Sequence, residues 1–414
     1  MRLGEVRNEA ALPNGKPLDG IRVLAVEQLQ ALPFATQLLA RLGAEVVKIE
    51  KPAGGESGRG ALPAMLDPYG RPVGATFLRN NLGKSSVALD ISRPEGRDLV
   101  LQLAARFDVL AENFRPGVLD RMGLGFADVR AVAPRCVYLS VTGFGTTVAT
   151  PYRTWPAYAP VPEAMSGIYD MKRVDDQPPV PAPLGGAGDI GSALYAVIGV
   201  MAALRQRDRT GRGQHVDIAM LDCMVAFTDL VTNFWSMGID EGEMAPQIMH
   251  SFRAGDGWFV LICFREYEFV RLADAIGHPE WRGDDRLATR QGWIDHMDDL
   301  LRPGIEGWSA SRTRMQVCEE LGASGVAAAP CLRAGEVVAD PHIAARDMLV
   351  ELERTDGIER PVLIPGNPVR MSDVAIGPDR PPPWLGEHTD AVLATELGLT
   401  PSSLAALRDA GVIA

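Results

Sequence analysis

Asp189 is the residue whose surroundings best suit covalent chemistry. It lies in the glycine-rich segment 183–192, directly before an apolar run that predicts a helix over residues 193–205. Glycines let a substrate approach the backbone closely, and the first turn of a helix offers unpaired N–H groups to developing negative charge. A carboxylate at this place can act as a nucleophile. The local pattern equally allows Asp189 to be the N-cap of that helix, which is a common role of aspartate.

The same glycines also fit a dinucleotide-binding pattern. Gly186, Gly188 and Gly191 have the spacing G-x-G-x-x-G, and Asp217 follows where an acid could bind a ribose. Such a fingerprint requires a strand directly before its first glycine. Residues 177–183 are rich in proline and cannot form a regular sheet ladder. The sequence therefore argues against an NAD-dependent enzyme.

Alternating short apolar runs and amphipathic segments fill the first part of the chain. Strands are predicted at residues 21–26, 44–49, 86–89, 109–111 and 136–141, and helices at 33–42 and 94–107. This alternation predicts an α/β fold with a doubly wound parallel sheet. The connection 146–188 is long, apolar and aromatic, and long ordered loops usually carry function.

The second half of the chain changes in composition. A short strand is predicted at 215–218, a long apolar helix at 221–237, and a hairpin with its turn at 255–257. A further helix starts after Pro341, a strand with proline interruptions is predicted within 361–370, and two helices end the chain. We predict a large domain from residues 1–225, a small domain over 244–330, and a C-terminal part, 340–414, that returns to the large domain.

Composition excludes several classes of protein. The chain has 414 residues, 46% of them hydrophobic, and a net charge of −12. This charge argues against binding to nucleic acid or to an anionic membrane surface, although a few local basic residues could still hold a phosphorylated ligand. The longest apolar run, 193–204, is too short to span a bilayer, and the N-terminal residues 1–16 lack an export signal.

Cysteine and histidine usage indicates a cytoplasmic protein without a metal centre. The five cysteines are an odd number and form no C-x-x-C pair, so they are interpreted as reduced, buried thiols. The six histidines have no ligand-like spacing, which argues against a metal site.

Several segments together resemble the class III CoA-transferases, the family of carnitine, formate/oxalate and bile-acid CoA-transferases and of the α-methylacyl-CoA racemases. The resemblance covers nearly the whole chain. The segments that carry it are 18–24, 33–39, 42–50, 81–90, 112–117, 120–123, 140–145, 164–167, 210–214 and 385–389.

The resemblance implies a Rossmann-like large domain, a smaller α+β domain and an interlocked homodimer. It also implies that CoA lies mainly on the large domain. The positions that match the family's CoA-contacting places are Gln30, Lys51, Leu89, Asp90, Ile91, Ser92, Asn113, Phe114, Arg115, Arg121, Ala157 and Tyr158.

Lys51 and Arg121 can pair with phosphates, and Phe114 can pack against adenine or the pantetheine arm. Taken alone, such basic residues are usually solvated surface charges. Two departures from the family pattern stand out. Ser92 occupies a place where relatives often have lysine, and Ala159 occupies one where an acid or asparagine is common.

Other roles remain open for three of these residues. Gln30 and Asn113 could cap turns, and Tyr158 could be a core residue with a satisfied hydroxyl. The residues themselves do not decide between these roles and contact with CoA.

By the same resemblance Asp189 is the family's nucleophile, which forms an aspartyl-CoA thioester during transfer between an acyl-CoA and a small carboxylic acid. The glycine N–H groups would stabilise the oxyanion. CoA is then a substrate, and no cofactor or metal is held permanently.

Two alternatives stay open. The first is the racemase branch, which pairs this aspartate with a loop histidine; the corresponding segment 156–159 has a tyrosine, and no histidine precedes His215. The second is a non-catalytic acyl-CoA-binding protein, which would not need Asp189.

Overall fold

The computed structural model describes residues 1–169, 177–181, 185–239 and 247–414. The strands are β1 (Arg22–Val26), β2 (Glu45–Glu50), β3 (Ala64–Leu66), β4 (Pro72–Gly74), β5 (Lys84–Ala88), β6 (Val109–Glu112), β7 (Val137–Thr142), β8 (His215–Ala219), β9 (Ile248–Ala254), β10 (Gly257–Cys263), β11 (Ala327–Pro330), β12 (Leu349–Leu352) and β13 (Val362–Pro365).

The α-helices are α1 (Ala31–Arg41), α2 (Ala75–Asn80), α3 (Pro94–Ala104), α4 (Val118–Arg121), α5 (Phe126–Val132), α6 (Pro160–Met165), α7 (Ala187–Thr210), α8 (Met220–Phe227), α9 (Glu266–Ala275), α10 (Arg290–Asp295), α11 (Arg302–Ser309), α12 (Arg314–Ala323), α13 (Ala334–Ala339), α14 (Pro341–Ala345), α15 (Thr389–Leu397) and α16 (Pro401–Asp409). Short 3₁₀ and π turns lie between them.

The chain divides into two compact units. The larger unit comprises Met1–Val231 and His342–Ala414, and the smaller comprises Thr232–Pro341. The predicted start of a small domain at residue 244 lies outside the described residues.

The centre of the larger unit is a six-stranded parallel sheet with the order β5-β2-β1-β6-β7-β8. Numbered by their sequence within this sheet, the strands follow the order 3-2-1-4-5-6, which is that of dinucleotide-binding Rossmann sheets. The prediction of an α/β fold with a parallel sheet is confirmed.

Side chains alternate between the two faces of this sheet, and helices cover both. Val23 and Ala25 of β1 face a layer that contains α1 and α7, whereas Leu24 and Val26 face α3, α5, α15 and α16. Because both faces are covered, β1, β6 and β7 are mostly apolar, as is typical of parallel sheets, whereas β2 and β5 also contain the buried Lys48 and Lys84. The predicted double winding is thus present.

Helix α7 starts six residues earlier than the sequence predicts, at Ala187 instead of residue 193. Gly188 and Gly191 disfavour a helix by propensity, but both allow close packing. A Cβ at Gly188 would lie 3.4 Å from the Ala159 carbonyl oxygen, and one at Gly191 would lie 2.7 Å from the Phe227 ring. Tertiary contacts therefore extend the helix through the glycines.

By length and composition α7 is also apolar enough to cross a membrane, which the shorter predicted run was not. Its inner face, however, contributes Ala193, Ala196 and Val200 to the core of the larger unit. Core helices of soluble proteins commonly have this character, so α7 is described as a core helix.

The long helix predicted at 221–237 is interrupted. Helix α8 ends at Phe227, Thr228 is extended, and a π turn at Leu230–Phe234 and a 3₁₀ turn at Trp235–Met237 follow. The β-branched Thr228 and the adjacent aspartate disfavour a helix interior. The prediction of one long helix was wrong because it followed the apolar pattern alone.

The smaller unit has an antiparallel sheet with the order β11-β10-β9. The predicted hairpin is present, since β9 and β10 pair across a turn at residues 255–256. Phe269 stacks on Trp281 and Trp293 in the core beneath it.

All five cysteines are free thiols, as expected. The expectation that they are buried holds for Cys136, Cys223 and Cys263, but it is wrong for Cys318, which is half-buried, and for Cys331, which is exposed.

Candidate active site

The loops that follow β1 and β6 meet at the point where the strand order of the sheet reverses. Ligands of open α/β sheets bind at this place, outside the carboxyl ends of the strands. A cavity of about 290 Å³ lies there. Its walls come from residues 28–31, 113–116, 141–143 and 155–158, and from Ser57, Arg153, Asp189 and Met220.

Asn113 joins the two loops. The Gln28 N–H donates to Asn113 Oδ1 at 2.9 Å, and Asn113 Nδ2 donates to the Gln28 carbonyl oxygen at 2.9 Å. Each polar atom of the amide therefore has a backbone partner, which is the turn-stabilising role that the sequence left open for this residue.

Gln30 lies between the first loop and the start of α7. Its Nε2 donates to the Gly185 carbonyl oxygen at 3.4 Å, and Arg79 Nη1 donates to its Oε1 at 3.3 Å. A Cβ at Gly186 would lie 2.8 Å from Gln30 Nε2 and 3.1 Å from Asp189 Oδ2. The Gln30 amide and the Asp189 carboxylate thus face the same glycine.

Asp189 is in the first turn of α7, whose N-cap is Gly186. The N-cap interpretation of Asp189 is therefore wrong, because the helix begins two residues before it. Within the described ranges, the Asp189 carboxylate has no hydrogen-bond or ion-pair partner. A half-buried carboxylate in this state faces the cavity with its oxygen atoms available for chemistry.

A second carboxylate, Glu163 of α6, is buried beneath the same helix turn. Glu163 Oε1 accepts the Gly188 N–H at 2.8 Å, and its Oε2 accepts the Tyr169 hydroxyl at 2.5 Å. Burial, and to a smaller extent the charge of Glu163, raise the pKa of Asp189 to about 6. Because Glu163 already holds the Gly188 N–H, the expectation that this glycine stabilises an oxyanion is not met in this structure.

Comparison with known proteins decides the family. The model of CoA-transferase family III matches residues 18–389. The chain belongs to CoA-transferase family III.

Its relatives are similar over nearly their full length. The succinyl-CoA–L-malate CoA-transferase beta subunit of Chloroflexus aurantiacus is 34% identical over 406 residues, which cover 96% of this chain and 98% of that protein. The formyl-CoA:oxalate CoA-transferase of Streptomyces avermitilis is also 34% identical, with 96% and 100% covered. A crystal structure of a CaiB/BaiF family protein from Brucella suis superimposes with a TM-score of 0.81 at 33% identity, over 92% of this chain and 100% of the other.

The structure of this CoA-transferase brings seven of the thirteen predicted site residues together. These residues line the cavity: Gln30, Asn113, Phe114, Arg115, Ala157, Tyr158 and Asp189. Tyr158 is 67% exposed, so the alternative that it is a core residue is wrong.

The other six predicted residues do not line the cavity: Lys51, Leu89, Asp90, Ile91, Ser92 and Arg121. Lys51, Ser92 and Arg121 are exposed, and Leu89 is buried with its backbone bridged to Ile413. The Asp90 carboxylate accepts hydrogen bonds from the Ser92 N–H and hydroxyl.

The sequence did not single out Leu29 and Arg153, which line the cavity, or Glu163, which is buried beside it. The only available signal for Glu163 was an acid within the apolar run 160–165 that follows the Tyr158 loop. Leu29 carried no signal, because its distinctive feature is a backbone φ of +63°, which its residue type does not predict.

Proposed function

We propose that this CoA-transferase moves CoA from an acyl-CoA thioester to a free carboxylic acid through a covalent aspartyl-CoA intermediate at Asp189. The observation that supports this most is the position of Asp189, whose carboxylate faces a cavity at the switch point of the sheet and has no hydrogen-bond or ion-pair partner among the residues that the structure describes. Its relatives are named as CoA-transferases.

The reaction takes four displacements. The Asp189 carboxylate attacks the acyl carbonyl, the C–S bond breaks, and CoA leaves as a thiolate, so that a mixed anhydride joins Asp189 to the donor acyl group. The thiolate then attacks the Asp189 carbonyl and releases the donor acid. The acceptor carboxylate attacks this aspartyl thioester, whose C–S bond breaks to release the thiolate and leave a second mixed anhydride. The thiolate finally attacks the acceptor acyl carbonyl of that anhydride, which forms the new acyl-CoA and frees the Asp189 carboxylate. No proton is gained or lost overall, and thioester energy is conserved, so neither ATP nor a metal is required.

Asp189 needs no general base. With a pKa of about 6 it is largely ionised at neutral pH, and its burial makes the carboxylate a stronger nucleophile than one in water. Because the Gly188 N–H is held by Glu163, we assign stabilisation of the oxyanion to the first turn of α7 and to the Gln30 amide, which faces the same glycine as Asp189.

CoA is too long to lie within a cavity of about 290 Å³. We infer that its thioester end enters between Asn113, Phe114 and Tyr158. Its phosphates and adenosine would then extend over the outer surface, where Lys51 and Arg121 are exposed, and past the predicted contacts at residues 89–92. These contacts, like the role of Ser92, are proposals.

The racemase alternative has less support. Exchange of an α-proton needs a second acid or base near Asp189, and no histidine is among the described residues that line the cavity. Glu163 lies near Asp189, but its two carboxylate oxygens already accept the Gly188 N–H and the Tyr169 hydroxyl. Tyr158 lines the cavity, but a phenol is a much weaker acid than the histidine that the racemase branch uses. A protein that only binds acyl-CoA would not need the Asp189 carboxylate that faces the cavity.

We also propose that the protein is a homodimer in the cytoplasm. The outer face of α7 exposes Leu194, Tyr195, Ile198 and Met201, and Ile198 is 62% exposed. An apolar helix face of this kind usually contacts another copy of the chain. Sedimentation should show a dimer for the wild type and a monomer for Ile198→Glu, whereas the matched surface change Ile358→Glu should leave the dimer intact.

The transfer itself is tested with a panel of acyl-CoA donors and free acids, with mass spectrometry of the new thioester. Relatives are named for succinyl-CoA or formyl-CoA and for malate, citramalate, oxalate or glutarate, so the panel begins with acids that carry two carboxylates. Asp189→Asn should abolish transfer. Asp222→Asn, an exposed aspartate in the first turn of α8, should not. Deuterium uptake at the α-carbon from heavy water, without transfer, would instead indicate the racemase.

A further inference from the structure

Leu29, in the loop after β1, has an unusual backbone. Its φ is +63°, in the left-handed region that residues with a Cβ seldom adopt. Leu29 lies between Gln28 and Gln30, and all three line the cavity that contains Asp189. Strain of this kind persists only where surrounding contacts impose it, and it is concentrated at functional sites.

We propose that Glu56 is a positioning residue for the transfer reaction, because it holds Leu29 in the left-handed conformation and thereby keeps Gln30 beside Asp189. This inference rests on the proposed function, in which Asp189 is the nucleophile. Glu56 itself does not line the cavity, so it acts through Leu29.

Two contacts connect Glu56 to the loop. The Leu29 N–H donates to Glu56 Oε2 at 2.9 Å, and the Gly58 N–H donates to the same oxygen at 2.7 Å. The Glu56 side chain is buried, so these bonds are not weakened by competition with water. They fix the direction of the Leu29 N–H, which is the group that a change of φ at this residue would move.

A buried lysine fixes Glu56 in turn. Glu56 Oε1 lies 3.6 Å from Lys48 Nζ and has no hydrogen-bond partner among the described residues. Lys48 is fully buried; its Nζ lies 3.6 Å from Glu27 Oε1 and donates to Asn81 Oδ1 at 3.2 Å. A carboxylate placed between a fixed cation and two backbone donors has little freedom to turn.

The same cluster anchors the helix that follows the loop. Lys84 Nζ donates to Glu27 Oε1 at 2.7 Å and to the Pro33 carbonyl oxygen at 2.9 Å, and the Thr36 hydroxyl donates to Glu27 Oε2 at 2.7 Å. Both ends of the short segment between β1 and the first turn of α1 are therefore held. Gln30 is the N-cap residue of α1, so a relaxed Leu29 would turn Gln30 away from Asp189.

The test compares Glu56 variants with leucine and with glycine at position 29. Glycine adopts the left-handed conformation without strain, so it should not depend on Glu56. The assay measures exchange of radiolabelled succinate into succinyl-CoA. With Leu29, Glu56→Asp and Glu56→Gln should lower kcat about tenfold with little change in KM. A tenfold loss is the factor expected when one strained backbone conformation is lost. In the Leu29→Gly background the same changes should lower kcat less than about threefold.

Two controls separate positioning from general damage. Glu56→Asp keeps the charge opposite Lys48, so it preserves the buried ion pair even if Glu56→Gln does not fold. Asp379→Asn weakens a different, largely buried ion pair, the one with Arg41, and no contact among the described residues joins that pair to Glu56 or Leu29, so its effect should be equal in both backgrounds.

Hydrogen exchange supplies a readout that needs no turnover. In Glu56→Asp the peptide that contains Leu29 should exchange its amides faster than in the wild type. A wild type that exchanges no succinate would contradict the proposed function for this acid, and hydrogen exchange would still decide the role of Glu56. The inference would be overturned if the Glu56 variants lost equal factors of kcat in the two backgrounds. It would also be overturned if amide hydrogen exchange at Leu29 were the same in Glu56→Asp as in the wild type.

Discussion

Replacing Glu163 by glutamine should move the acid limb of the pH–rate profile to lower pH. Burial and the Glu163 charge raise the pKa of Asp189 from 3.8 to about 6, and burial is the larger cause. The wild-type value of kcat/KM should therefore fall about tenfold between pH 7 and pH 5, as Asp189 becomes protonated, whereas a carboxyl with a pKa of 3.8 would lose almost nothing.

The change in the pKa of Asp189 that Glu163→Gln should cause is limited, because burial contributes more to the raised pKa than the Glu163 charge does. Since the Glu163 charge is the smaller cause, it accounts for less than half of the rise, which is at most about one pH unit. At pH 5 the kcat/KM of the variant, relative to its own value at pH 8, should then be up to about fivefold higher than that of the wild type. At pH 8 the fraction of ionised Asp189 should be the same in both proteins. Glutamine keeps an oxygen that can accept the Gly188 N–H, so the helix turn stays in place.

The assay is the succinate exchange reaction from pH 4.5 to 8.5. Tyr169→Phe is the matched control, because it removes a hydrogen bond to Glu163 but keeps the carboxylate charge, so its acid limb should not move to lower pH. A wild-type profile that stays flat to pH 4.5, or an acid limb that Glu163→Gln leaves unchanged, would refute the reasoning.

Three further predictions concern stability and the cavity. The folded pKa of Asp189, about 6, lies above the ordinary value of 3.8, so its ionisation lowers the stability of the fold in full above pH 6 and not at all below pH 3.8. Asp189→Asn should therefore raise the free energy of unfolding, measured in urea, by about 2 kcal/mol at pH 8 and leave it unchanged at pH 3.5. An equal gain at both pH values would contradict this. Lys84→Met should lower it by about 3–5 kcal/mol, because Glu27 is left buried without its closest cation; an unchanged melting temperature would contradict this. A Cβ at Gly143 would lie 2.2 Å from the Ala157 Cβ, so Gly143→Ala should displace that wall and raise the KM for acyl-CoA roughly tenfold, and unchanged kinetics would contradict this.

The fold was predictable because a parallel sheet leaves a strong pattern in the sequence. Strands that are buried on both faces appear as short apolar runs, and β1, β2, β6 and β7 were each predicted to within two residues at either end. The start of α7 was not predictable, because glycines disfavour a helix unless a partner such as Phe227 packs against them. Only the folded chain supplies that partner.

The same distinction applies to the candidate site. Asp189 was identifiable from its glycines and from a family pattern, whereas Glu163 is brought to it by a fold that joins α6 to α7. The conformation of Leu29 depends on Glu56 and Lys48, neither of which has a local pattern with it. Residues that act through such distant contacts leave no periodic signal in a single sequence.

The central claim is tested most directly by trapping the intermediate. The protein is incubated with succinyl-CoA and quenched with hydroxylamine, and the peptide that contains Asp189 is examined by mass spectrometry. Hydroxylamine cleaves an aspartyl thioester to a hydroxamate, so the account predicts this modification at Asp189 and its absence without the acyl-CoA. Transfer of CoA to a free acid with Asp189 unmodified under the same quench would contradict the account.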